Sequence, residues 1–187
     1  MTLISSPAYI GIDQSVGGCG VTVYSPCARE HKTWVKAFPL AKYSGREALQ
    51  LHALETWLIE IISRFPDRVA AVAREGFAYG AKQGREKAGA VAYAVDSTLL
   101  DWLPDPVCYP RIVAPGHLKE LATGSGSATK KQVKEGVEKI WGVKCSDDNA
   151  ADSFVLAQFA YAADGGDTGS PFQKNLLLKV KNVKRRS

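Results

Sequence analysis

The chain has 187 residues, enough for one domain that buries roughly two-thirds or more of its unfolded surface. Its 24 Lys and Arg against 19 Asp and Glu give a net charge of +5, which favours a polyanionic partner. No apolar stretch approaches the about 18 residues of a membrane span, Met1 to Pro7 has no charged and then long apolar segment, and Cys19, Cys27, Cys108 and Cys145 show neither CxxC nor zinc-ligand spacing, so membrane, secreted and zinc-finger classes fall away.

Ala8 to Ile12 is a short apolar run followed by Asp13 and the glycine-rich turn Gly17-Gly18-Cys19-Gly20, after which Gly20 to Tyr24 alternates. This pattern predicts a strand, a turn and an antiparallel strand, with Asp13 at or near the end of the first. His31 to Phe38 alternates as a third strand. From Gly45 to Phe65 the period becomes helical, with Leu51, Leu54, Leu58, Ile61 and Ile62 on one stripe and Pro66 as the stop. Val69 to Ala73 reads as a buried central strand leading into Arg74-Glu75-Gly76, and a second helix is predicted from about Gly84 to Leu103. Arg111 to Ala114 suggests another strand, Pro115 to Leu121 a short helix, Lys130 to Trp141 a long one, and Asp147 or Asp148 the start of a last apolar helix. Antiparallel strands first and alternating strand and helix later predict an α/β layer fold with a mixed sheet. Residues 1–165 are expected to form the domain, and 166–187 a linker and a basic C-terminal tail.

Three acidic motifs lie in separate segments: Gly11-Ile12-Asp13, Arg74-Glu75-Gly76 and Asp147-Asp148-Asn149-Ala150-Ala151-Asp152. Carboxylates at strand ends and helix starts are badly placed for core packing and well placed to converge on hard cations, which take oxygen ligands. Asp148 and Asp152, four apart, share one helix face. Taken singly, each acid also has an ordinary reading: Asp147 or Asp148 as a helix cap, Asp13 opening an Asx turn, Glu75 paired with Arg74 at a surface.

Taken in order, these motifs resemble those of the RuvC-type Holliday-junction resolvases of the ribonuclease-H-like nuclease superfamily. Gly11-Ile12-Asp13 with its glycine-rich turn is similar to the family's first motif and Arg74-Glu75-Gly76 to its second acidic motif. Gln83 to Val91 resembles its central helix, Ala122 to Val133 its glycine-serine loop and basic helix, and Asp148-Asn149-Ala150-Ala151-Asp152 its last motif. The matches run in order over residues 8 to 163.

The resemblance implies a ribonuclease-H-like mixed β-sheet flanked by helices, with Asp13, Glu75, Asp148 and Asp152 as metal ligands and catalytic acids. The expected cofactor is Mg²⁺ or Mn²⁺, two ions per site. It also implies that Lys119 and Lys130 meet the scissile strand's phosphates, with Lys131 assisting. The family pattern has an acid where this chain has Asn149, so either Asp148 or Asn149 fills the third acidic position. Phe77 and Tyr79 flank the place of an aromatic that stacks at the junction centre. The implied activity is a homodimeric, structure-selective DNA endonuclease that nicks four-way junctions in pairs and leaves 5′-phosphates. No nucleotide cofactor is expected, and the dimer contact falls on the helix near Gly84 to Leu103. The departures and the short length fit a phage or viral version, acting in the cytoplasm of a bacterium or an infected host. An actin-like ATPase or sugar kinase shares the first motif but needs two such domains, and an inactive junction-binding protein has no need of acids at all three motifs.

Overall fold

A computed structural model describes residues 7–65, 68–76 and 85–184, without the side chains of 181–184. Phe77, Tyr79 and Gly84 lie outside the described residues. Five strands, β1 (Ala8–Gln14), β2 (Gly18–Ser25), β3 (Glu30–Ala37), β4 (Val69–Glu75) and β5 (Arg111–Val113), form one sheet in the order β3-β2-β1-β4-β5. The first three are antiparallel, and β4 and β5 run parallel to β1. The sheet is therefore mixed, as the change of period along the chain predicts. The hydrogen-bonded strands extend past the apolar runs, so both Asp13 and Glu75 are strand residues rather than turn residues.

The two-residue alternation of β1 and β4 divides the molecule. Ala8, Ile10, Ile12 and Val72 point to one face, where they pack on α1 (Glu47–Ile62) and α2 (Arg85–Trp102) through Leu58, Ile61, Val95 and Leu99. Each such fully buried Val, Leu or Ile side chain contributes about 1.5–3 kcal/mol. Tyr9, Ala71 and Ala73 point to the other face, against α3 (Pro115–Thr123), α4 (Lys130–Trp141) and α5 (Asp148–Ala163). Asp13 and Glu75 share the parity of this second set, so the sheet delivers both to the α5 side.

Helix ends follow local chemistry. Pro115 opens α3, where a missing N–H costs nothing, and Gly124 closes it at a left-handed φ of 82°. Thr129 and Gln132 form a reciprocal capping box on α4. Asp147 caps α5, its Oδ1 accepting from the Ala150 N–H at 2.9 Å, which resolves the choice between Asp147 and Asp148.

Residues 166–187, expected as linker and tail, do not hang free where they are described. Thr168 and Ser170 are buried; Trp141 Nε1 donates to the Thr168 carbonyl, and Ser170 Oγ to that of Leu121, both at 2.7 Å. Gln173–Lys184 then forms α6, whose Leu176 is wholly buried and whose Lys179 pairs with Glu120 of α3. The lysines make this segment read as a basic tail, while the apolar residue that docks it stands among them. A tail supplying only charge would leave stability untouched when removed. Deletion of 174–187 is instead expected to cost on the order of 3 kcal/mol, as for loss of a buried leucine; an unchanged melting temperature would show that α6 does not hold the fold.

Candidate active site

Asp13 sits on β1 opposite Gly20 of β2, with the end of β4 on its other side. Helix α5 reaches it by lying directly on two glycines. A Cβ on Gly11 would meet the Ser153 carbonyl oxygen at 2.1 Å and the Ala157 nitrogen at 2.2 Å, and one on Gly20 would meet the Asn149 carbonyl oxygen at 2.3 Å. Only a bare Cα admits helix backbone that close. The Ser153 hydroxyl meets that of Thr22 at 2.9 Å and fixes the crossing further. This contact lowers the first turns of α5 over the sheet, bringing Asp152 to Asp13 and Glu75.

The electrostatics of the three acids record that convergence. Asp13, only 6% exposed, is pushed from 3.8 up to about 8 by burial first, then by the charges of Glu75 and Asp152. A hydrogen bond shared with Glu75 adds to the rise of Asp13, and Glu75's own carboxyl is raised by burial and partly relieved by that hydrogen bond and by Lys119 and Lys130. Asp152 is raised from 3.8 to about 6 by burial and by Glu75, with Lys130 and Lys119 opposing and Asp148 adding to the rise. Like charges gathered out of water retain protons because the ionised forms repel.

Asp148 stands at the rim, its side chain 40% exposed and 3.2 Å from the Lys130 ammonium. That contact raises Lys130, which also feels Asp152 and Asp13. Asn149 is turned toward β2, its amide nitrogen near Gly18. Among the expected DNA contacts, Lys119 and Lys130 act on the acids, whereas Lys131 pairs with Glu135 along the α4 surface at 3.8 Å. Cys19 belongs to the core on the opposite face of β2.

The donor set suits a hard dication in charge and chemistry: every group is a carboxylate, and burial raises the pKa of Asp13, Glu75 and Asp152, a cost of ionisation that a bound cation would relieve. Among the described residues, no three acids stand at ligating spacing. A cavity of about 770 Å³ lies elsewhere, between the start of β4, β5 and α6, and includes none of these acids.

Sequence reasoning missed two residues at this site, Gln14 and Asp96. Arg74, in an otherwise apolar strand, pairs not with Glu75 but with Asp96 of α2, through two hydrogen bonds of 2.7 Å. A charge inside an apolar run was the available signal that some partner had to exist; nothing in the sequence pointed to Asp96.

No protein-family model matches this chain, and no curated protein matches its sequence. Solved structures do. A Thermus thermophilus RuvC structure superposes with a TM-score of 0.62 at 22% identity, covering 80% of this chain and 90% of that one. T. thermophilus RuvC in complex with a Holliday junction substrate superposes with a TM-score of 0.65 at 21% identity, covering 85% and 96%. With its mixed five-stranded sheet flanked by helices, this chain has the ribonuclease-H-like fold of RuvC.

Proposed function

We propose that this protein is a Mg²⁺- or Mn²⁺-dependent endonuclease that resolves four-way DNA junctions as a homodimer, by paired nicks leaving 5′-phosphates. The observation that carries the reading is the meeting of Asp13, Glu75 and Asp152, from three separate segments, beside Lys119 and Lys130 on a RuvC fold. Asp13, Glu75 and Asp152 would hold the cations, with Asp148 as the fourth donor. Bound there, the ions would supply Lewis acidity toward water and the phosphate. The chain's own contribution is to exclude water around Asp13 and to present the lysines. Lys130 and Lys119 neutralise charge that builds on the phosphate, and Asp148 keeps Lys130 aimed until DNA arrives.

A four-way junction needs two opposed cuts, and twofold symmetry supplies both from identical subunits. Helix α2 offers the contact. Gly89 has open space around it, and Tyr93 and Leu100, on the same face, are 75% and 51% exposed. Ala92 and Ala94 of the same helix pack inward. No helix among the described residues is long and apolar enough to cross a membrane; a cytoplasmic setting is part of the proposal.

The test is incubation with labelled four-way, three-way and linear DNA in Mg²⁺, Mn²⁺ or EDTA. Paired nicks in four-way junctions, dependent on the ion, are expected; cutting of linear duplex at an equal rate would replace the resolvase with a general nuclease. Lys130→Ala is expected to slow cleavage at saturation by about 10²-fold while weakening junction binding only slightly, and equal losses in both would make Lys130 a general DNA contact.

A further inference from the structure

The main-chain carbonyl of Glu75 is gripped from two sides. Arg74 Nη1 donates to it at 3.0 Å and Gln14 Nε2 at 2.6 Å, which occupies both of its lone pairs. The N–H of the same peptide unit, that of Gly76, donates to the Val113 carbonyl at 2.7 Å. Three hydrogen bonds therefore fix the peptide plane at the end of β4. The Arg74 guanidinium is itself paired: the residue is 4% exposed, and its Nε and Nη2 fork onto the two oxygens of Asp96. A planar bidentate pair of this kind fixes direction as well as distance. Gln14 and Arg74 lie on the α2 face of the sheet, and the Glu75 side chain projects from the opposite face toward Asp13. The grip thus sets where the carboxylate goes without touching it.

We propose that Asp96, Arg74 and Gln14 are positioning residues that hold Glu75 in place for cation binding, and that Asp96 thereby makes helix α2 a support of the active site. The inference rests on the reading of the acids as a cation site. Residues supporting metal ligands from behind typically change affinity by about 10–100-fold when lost.

Two variants spare the buried guanidinium its full loss of partner: Asp96→Asn keeps an acceptor, and Gln14→Leu removes only the second donor. The test measures Mn²⁺ binding by titration calorimetry on the full chain, and exchange of the Gly76 amide by NMR in EDTA. Each variant is expected to weaken Mn²⁺ about 10-fold, to speed exchange at Gly76 and to bind junction DNA in EDTA like wild type. Val95→Ala, which trims a wholly buried side chain next to Asp96 and leaves the groups of the fork itself unchanged, controls for general loosening. If it weakens Mn²⁺ as much as Asp96→Asn does, or if both positioning variants bind Mn²⁺ like wild type, the proposal is overturned. Should the wild type itself take up no Mn²⁺, the cation reading of the site fails, and unchanged Gly76 exchange in the variants would overturn the positioning role as well.

Discussion

Asp13→Asn is expected to abolish cleavage and, at the same time, to stabilise the metal-free protein above pH 8. The loss of activity follows from the site: Asp13 is the most buried of the converging acids and the one all the others act upon, so its removal should cost at least about 10²–10³-fold in rate, the scale of losing one preorganised electrostatic group. The gain in stability follows from linkage. Unfolded, this carboxyl ionises near 3.8; folded, near 8. Between those values the folded state binds the extra proton, so stability falls as pH rises through that window, and the penalty is complete above pH 8. Asp152, raised to about 6, adds a penalty of the same sign across a narrower window. Asparagine carries no such charge, and the variant is expected to be more stable by on the order of 3 kcal/mol at pH 8.5 and nearly equal to wild type at pH 4. Saturating Mg²⁺ should restore the wild type at pH 8.5 and do much less for the variant. Thermal unfolding at the two pH values, with and without the ion, reads all of this. Equal stability of the two proteins at pH 8.5 without metal would mean that Asp13 is not confined among like charges. Glu75→Gln and Asp152→Asn should likewise lose cleavage while still binding junctions in EDTA.

That a stabilising substitution should be inactivating explains why the site was visible in the sequence. An acid at the end of an apolar strand, and two more at the head of an apolar helix, oppose packing, and only convergence gives them a shared purpose. The strands and long helices were legible for a related reason: alternation through Val21 and Val23 and the helical stripe through Leu54, Leu58 and Ile61 each match one period. What the sequence withheld depends on direction in space. Asp147 and Asp148 are chemically identical, and only the approach of the Ala150 N–H makes the first a cap and leaves the second beside Lys130. Lys130 and Lys131 are neighbours in sequence, yet a rotation of about 100° per helical residue sends one to the acids and the other to Glu135. Nothing local marks Asp96, because its partner stands 22 residues earlier, on a strand.

Gly11→Ala should do to the fold what Asp13→Asn does to the chemistry. The added methyl has nowhere to go, since its nearest neighbours at 2.1 and 2.2 Å are backbone atoms of Ser153 and Ala157, not the ends of flexible side chains. Helix α5 would have to lift from the sheet, and α5 carries buried residues on nearly its whole circumference, from Ala151 and Phe154 to Leu156 and Phe159. Overpacking of this kind costs about 1–3 kcal/mol where neighbours can yield and more where they cannot, so a loss of about 3 kcal/mol or more is expected. Gly20→Ala, which meets the Asn149 carbonyl at 2.3 Å, should behave in the same way. Gly17→Ala, with nothing within 4 Å, is the control and should fall within about 0.5 kcal/mol of wild type. Because α5 carries Asp152, any Gly11→Ala protein that still folds should have lost cleavage as well, its third carboxylate displaced from the other two. Urea unfolding and the cleavage assay together decide the point: a variant within 1 kcal/mol of wild type that still cuts would show that the helix does not rest on this glycine, and that the glycine of the first motif serves the turn beside it rather than the seat beneath Asp152.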